Sequence, residues 1–165
     1  MSLGSRSRGH AILFAGALAA GALGALFDQV TVTISPAYFL LGKGVDAADD
    51  LRLAAAWIGF RGGLALGALA AGAGVWIEPR TRDFRWARHG AAIAATALLF
   101  ACFGGPIMRA LDPFDVRADS AGVLSDAEAS SYLLVWGAHI GVYAGAVLAV
   151  VVALLRARSR ERHSA

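Results

Sequence analysis

Residues 11–27 read AILFAGALAAGALGALF, an unbroken run without a charged side chain. A helix rises about 1.5 Å per residue and the bilayer hydrocarbon is about 30 Å thick. A spanning helix therefore takes about 20 mostly apolar residues, and about 17 is the short limit. This run meets that limit, and polar residues, Asp28-Gln29, follow it at once. Three further stretches have the same character, at 53–77, 90–108 and 131–155. None of the four contains Asp or Glu, and their only basic side chains are Arg61 and His139. The reading is an all-α membrane protein: one integral domain over 1–165, built as a four-helix transmembrane bundle.

Composition agrees. Hydrophobic residues make up 58% of the chain and charged residues 16%, and mean hydropathy is +0.60. A soluble domain carries about 45–50% apolar residues and about 25% charge. Intrinsic disorder is excluded, because it needs low hydrophobicity. A single cysteine, Cys102, excludes an internal disulfide and a CxxC redox pair.

The excess of basic charge is arranged for topology rather than for nucleic acid. Arg6 and Arg8, then Arg80, Arg82, Arg85 and Arg88, then Arg156, Arg158, Arg160 and Arg162 alternate with the apolar runs. All ten fall on one side of a four-span arrangement. The other side holds Lys43, Arg52, Arg109 and Arg117. By the positive-inside rule both termini are expected in the cytoplasm. Arginine in place of lysine, with abundant Ala and Gly, suggests a GC-rich bacterial genome and hence the bacterial inner membrane. Trp57, Tyr132 and Trp136 are expected near the outer interface, and Trp76 and Trp86 near the inner one. Ala20-Gly21-Ala22 also has the small-residue form of a signal-peptidase site, although Ala-rich helices contain such triplets by chance. The first span is expected to remain.

Small residues recur every fourth position: Gly59, Gly63 and Gly67, then Ala71, in the second span, and Gly16, Ala20 and Gly24 in the first. Such a stripe lies on one helix face and lets two backbones approach closely. Gly59, Gly63 and Gly67 are therefore assigned as a helix-packing face, within the bundle or between copies.

Charge inside a span marks a functional site by default. Arg61 follows Trp57 by one helical turn, a depth from which a long side chain can reach the interface. His139 follows Trp136 by three residues, at a matching depth. Asp28 and Gln29 stand at the outer end of the first span. The reading assembles Asp28, Gln29, Arg61 and His139 into an outer-half polar cluster, with Asp28 free to pair with Arg61. Alternatively, Arg61 only snorkels and His139 is a packed histidine bonded between helices. His10 and His89 sit at the inner ends of their spans, but nothing else there suggests haem or metal. No cofactor, metal site or catalytic residue is expected.

Beyond Gln29, Val30, Val32 and Ile34 alternate with Thr31, Thr33 and Ser35 before Pro36. Period-two alternation ended by Ser-Pro predicts a short extended segment in the first outer loop. Tyr38 to Leu41 should rest on the membrane surface or on the bundle. Gly104-Gly105-Pro106 predicts a break or kink in the third span. Ser125 is a helix N-cap before the fourth.

Asp28-Gln29-Val30, Ser35-Pro36-Ala37-Tyr38-Phe39 and Ser131-Tyr132-Leu133 resemble a group of small bacterial four-span membrane proteins. Their pattern is His-Asp-Gln-Ile/Val, then Ser-Pro-Glu-Tyr-Phe, then Ser-Tyr-Leu. Here Phe27 replaces the His and Ala37 the Glu. The resemblance implies the topology and an ordered outer loop, and no activity.

Three function classes are weighed. A non-catalytic accessory or interaction protein, with lipid and a membrane partner or a second copy around it, fits best. An oligomeric transporter or channel lined by the polar cluster is second, and lacks a span carboxylate for proton coupling. A haem oxidoreductase rests on His10 and His89 alone. Neither an enzyme nor a nucleic-acid binder is indicated.

Overall fold

The computed structural model describes residues 3–80 and 84–164. Its elements run α1 (Leu3–Ile34), a π-helical turn (Tyr38–Gly42), α2 (Leu51–Ile77), a 3-10 turn (Glu78–Arg80), α3 (Trp86–Leu111), α4 (Val116–Asp119) and α5 (Asp126–Ser164). Four helices, α1, α2, α3 and α5, are long and apolar enough to cross a membrane, and no strand occurs among the described residues. The chain is an all-α, multi-pass integral membrane protein. One end of the bundle carries Leu3, Ser164 and residues 78–80 and 84–89, and is called the basic end. The other carries the 35–50 and 112–125 connections, and is called the acidic end. Arg82 lies outside the described residues, as do the side chains of Arg6, Arg80 and Arg162.

Helix starts follow from local chemistry. Asp50 is extended, and its carboxylate accepts from the amides of Arg52 and Leu53, capping α2. Ser125 and Glu128 form a reciprocal capping box at the start of α5. The Glu128 amide donates to Ser125 Oγ at 3.3 Å, and the Ser125 amide donates to Glu128 Oε2 at 2.8 Å. Asp112 ends α3 in the left-handed region at φ 39°. Its carboxylate accepts from the amides of Val116 and Arg117, which starts α4.

Two sequence expectations are corrected. The 28–34 segment is not extended; it completes α1. Its buried residues Asp28, Thr31 and Val32, with Ser35 just beyond it, are spaced three, one and three apart, which is a helical face rather than a strand face. Thr33 Oγ1 donates to the Gln29 carbonyl at 2.9 Å, an i−4 bond by which a β-branched hydroxyl settles in a helix. Alternation over so few residues is a weak signal against a helix already running. Pro36 then stops the regular ladder. The second correction concerns the break expected, as one alternative, at Pro106: the residue lies inside α3 without ending it. Spanning helices accommodate proline where neighbours re-satisfy the freed carbonyl.

The bundle is built from two interlocked pairs, α1 with α2 and α3 with α5. Gly16, Ala20 and Gly24 of α1 face Gly59, Gly63, Gly67 and Ala71 of α2. A Cβ at Gly67 would lie 2.6 Å from the Gly16 carbonyl oxygen. Gly104 and Gly105 of α3 face Gly137, Gly141 and Leu134 of α5 in the same way. Helices in lipid gain little from burying apolar surface, so close van der Waals packing is what holds each pair. The pairs meet chiefly along α2 and α5. At the basic end Glu78 accepts from Arg8 of α1 at 2.6 Å and from Trp86 of α3 at 3.2 Å.

Candidate functional site

At the acidic end, α1 of one pair reaches α5 of the other through two polar side chains. His139 Nε2 lies 2.9 Å from Asp28 Oδ1 across 111 residues of sequence. The side chains are 7% and 2% exposed, so the contact is sealed from solvent and lipid alike. Asp28 lies six residues before the end of α1, about 9 Å along the axis.

Each partner is positioned by its own helix pair. Asp28 fits because α2 presents Gly59 to it: a Cβ there would stand 2.8 Å from Asp28 Cγ and 2.7 Å from the Gly24 carbonyl carbon. Thr31, one turn on, stands 3.5 Å from Asp28 Oδ1. His139 is oriented by its own helix, with Nδ1 2.8 Å from the Val135 carbonyl. A carbonyl only accepts, so Nδ1 carries a proton and donates it. The Nε2 contact then needs a second proton, on Nε2 or on Asp28 Oδ1, because two lone pairs repel. The pair as built holds two protons and no net charge: imidazolium with carboxylate, or imidazole with carboxylic acid. Asp28 Oδ2 is buried and has no hydrogen-bond partner among the described residues.

Aromatic rings enclose the imidazole. Phe27 meets it edge-on at 5.2 Å, Tyr38 lies against it at 4.8 Å with the rings tilted by 34°, and Phe39 stands edge-on at 6.2 Å. Tyr38 and Phe39 come from the connection after α1 and are 3% and 0% exposed. The connection folds down as a cover, fixed by Tyr38 N donating to Ser35 O, Lys43 N to Tyr38 O and Val45 N to Phe39 O. Tyr132 packs edge-on to Tyr38 at 5.5 Å, and the Lys43 ammonium sits 5.3 Å from the Tyr38 ring centre. Burial pushes the Tyr38 phenol well above its ordinary value, with Tyr143, Asp28 and Tyr132 adding to the rise.

The structure thus brings together two members of the sequence cluster and separates the other two. Asp28 pairs with His139, not Arg61. Arg61 is exposed and makes no ion pair among the described residues. Its α2 neighbours Gly59 and Gly63 hold the face turned to α1, and Gly62 holds the face turned to Tyr143. Gln29 is one position off the Asp28 face. Its Nε2 donates to the Arg52 carbonyl at 2.8 Å, tying α1 to the start of α2. Gly59, Gly63 and Gly67 lie within the α1/α2 seam.

At the basic end, His89 Nε2 is 3.1 Å from the Ala70 carbonyl, and His10 is exposed. No group of three or more His, Cys, Asp and Glu able to hold a metal occurs among the described residues.

Sequence reasoning missed Phe27 as a wall of the site, and it left Tyr38 and Phe39 between the membrane surface and the bundle, where the structure packs both on the bundle. It also missed the glycine face of α5, Gly137, Gly141 and Gly145, although its four-residue spacing is the signal that identified α2. Asp28, Ser35, Tyr38, Phe39 and Tyr132 converge on this one place. Comparison with protein-family models, with curated proteins and with solved structures returns no match.

Proposed function

We propose that this integral membrane protein is a non-catalytic accessory or interaction protein of the bacterial inner membrane, with both termini in the cytoplasm. One observation carries the reading: the buried ionisable pair is bonded to itself behind an aromatic cover, whereas the outer faces of the bundle present apolar surface. A groove of about 470 Å³ between α3 and α5 is lined by Leu99, Phe103, Ile107 and Ile140, and one of about 630 Å³ lies between α2 and α5. What such a molecule offers its surroundings is a shape in the bilayer. The sequence distribution of arginine, ten in the segments flanking the spans on one side against three arginines and one lysine on the other, supports the orientation. Native mass spectrometry in mild detergent tests the role. Co-purification of a defined membrane protein, or a discrete oligomer, is expected; a bound small solute with neither would overturn it. A periplasm-active reporter fused after Ala165 should be inactive.

A second reading, an oligomeric small-solute or ion transporter, draws on Asp28 alone, since a buried carboxylate in a span marks ion pathways in many membrane proteins. It requires solute flux in vesicles that Asp28→Asn abolishes with the fold retained.

A further inference from the structure

We propose that the Asp28–His139 pair is a proton-binding site whose loss of one proton opens the Ser35–Lys43 cover. The geometry fixes how many protons the closed pair holds. Both imidazole nitrogens face oxygens at hydrogen-bond distance, 2.8 Å to Val135 O and 2.9 Å to Asp28 Oδ1. Both contacts are bonds only when the pair holds two protons, and in that state its net charge is zero. Release of one proton to water leaves a net charge of −1, with no other bond made or broken. One of the two ring contacts then becomes a clash of lone pairs, so the imidazole turns. The charge resides beside Asp28 Oδ2, which already has no hydrogen-bond partner among the described residues.

An unpaired buried charge is far too costly to persist without solvation. Hydration has an evident route. The cover rests directly on the imidazole through Tyr38 and Phe39, so a turned ring undermines it. It is also a short connection, fixed by few backbone bonds, whereas α1, α2 and α5 are regular helices, the first two locked through glycine. The cover is therefore the element that yields.

No other charge at the site substitutes for the missing proton. The cover contributes Tyr38 and Lys43, whose exposed side chain ends 5.3 Å from the Tyr38 ring centre. From α5 come Tyr143 and Tyr132. From α1 the neighbour is Thr31, and α2 faces the pair with Gly59 and leaves Arg61 exposed. Arg52 is bonded to Thr33 Oγ1 at the start of α2. α3 packs on α5 through Gly104 and Met108, and its Cys102 and Arg109 are exposed.

The test is cysteine accessibility in the full chain, purified in mild detergent, with Cys102→Ala as background. Ser35→Cys reports the cover, since Ser35 is 0% exposed. Ala47→Cys, in the exposed part of the same loop, corrects for the pH dependence of thiol labelling. The ratio of the two maleimide labelling rates is measured from pH 5 to pH 9.5. It is expected to be low in acid and to rise about tenfold or more with pH, the scale of one lost hydrogen bond to a charged group. Asp28→Asn keeps the shape and can donate to Nε2 without a titrating carboxyl, so its ratio should stay low and flat. A flat ratio in the native pair, or the same rise in Asp28→Asn, overturns the proposal. Amide exchange across residues 35–43 in the unsubstituted chain, corrected for base catalysis, tests the same opening without any variant. Faster corrected exchange at high pH supports it, and pH-independent exchange overturns it.

Discussion

Gly59→Ala should destabilise the bundle by more than any other single methyl group added to α2. The added carbon would stand 2.8 Å from Asp28 Cγ, 2.7 Å from the Gly24 carbonyl carbon, and closer still to the Gly24 carbonyl oxygen. Ordinary van der Waals contact begins near 3.4 Å. The obstructing atoms include the α1 backbone, so a rotamer change cannot relieve the overlap. The α1 and α2 axes must separate by about 1 Å, and overpacking of this kind costs about 1–3 kcal/mol. The shift also carries Asp28 away from His139. A hydrogen bond to a charged group is worth about 1.5–3 kcal/mol, more when its loss strands a buried partner. Helix propensity returns about 1 kcal/mol. The net is a loss of about 2–5 kcal/mol. Thermal unfolding in detergent, followed by tryptophan emission, measures it. Gly72→Ala is the control: its new Cβ meets Leu13 Cδ2 at 3.7 Å, an ordinary contact, so it should be neutral or slightly stabilising. If Gly59→Ala unfolds no earlier than Gly72→Ala, the glycine seam does not hold this site together.

Gly141→Ala should loosen the other pair by about 1–3 kcal/mol, because its Cβ would meet the Phe100 carbonyl carbon at 2.6 Å and the Ala101 amide at 2.8 Å; unfolding in the same detergent reads it. Arg61→Leu should leave the melting temperature within about a degree of the native chain, since Arg61 is exposed and lacks an ion pair among the described residues, and a large loss would reveal a partner charge. In the Asp28→Asn chain, whose cover should stay shut as pH rises, Tyr38 gives an alkaline signature. Its phenol titrates above its ordinary value of 10.0 in the folded chain, because burial favours the neutral form. Unfolding then releases a proton at high pH, so the stability it contributes is complete below pH 10 and is lost as pH rises beyond it. Adding Tyr38→Phe to that background should flatten the loss in unfolding curves taken between pH 9 and pH 11.

The four spans were legible because the bilayer imposes one rule, an apolar length, that composition satisfies without tertiary knowledge. The site was legible only in part, and the reason is angular. Depth along a helix follows from counting residues, and it placed Asp28, Arg61 and His139 near one level. Rotation about the axis depends on which face meets a neighbour. The glycine stripe contained that information: Gly59 and Gly63 define the α1-facing side of α2, and Gly62 the side turned to Tyr143, so Arg61 is left with neither. The same stripe on α5, at Gly137, Gly141 and Gly145, would have paired α5 with α3. The extended 28–34 segment failed for a related reason. Alternating Val and Thr looks like a strand, but the helix entering it from Ala11 onward had no reason to stop before Pro36.

The division of the bundle into two glycine-locked pairs gives the Asp28–His139 contact its leverage. Within each pair the backbones approach so closely that a larger side chain at the seam needs glycine opposite it, as Asp28 has in Gly59. From that slot Asp28 reaches across to His139 of the other pair, where α1 meets α5. The contact therefore joins the two pairs while being costly to leave unsatisfied. Replacing both partners with apolar residues of similar shape, Asp28→Leu with His139→Phe, should make the bundle as stable as the native chain or more so, whereas either change alone should weaken it. If the double variant is no better than the worse single one, the two side chains are not coupled, and the seam between the pairs is held by something else.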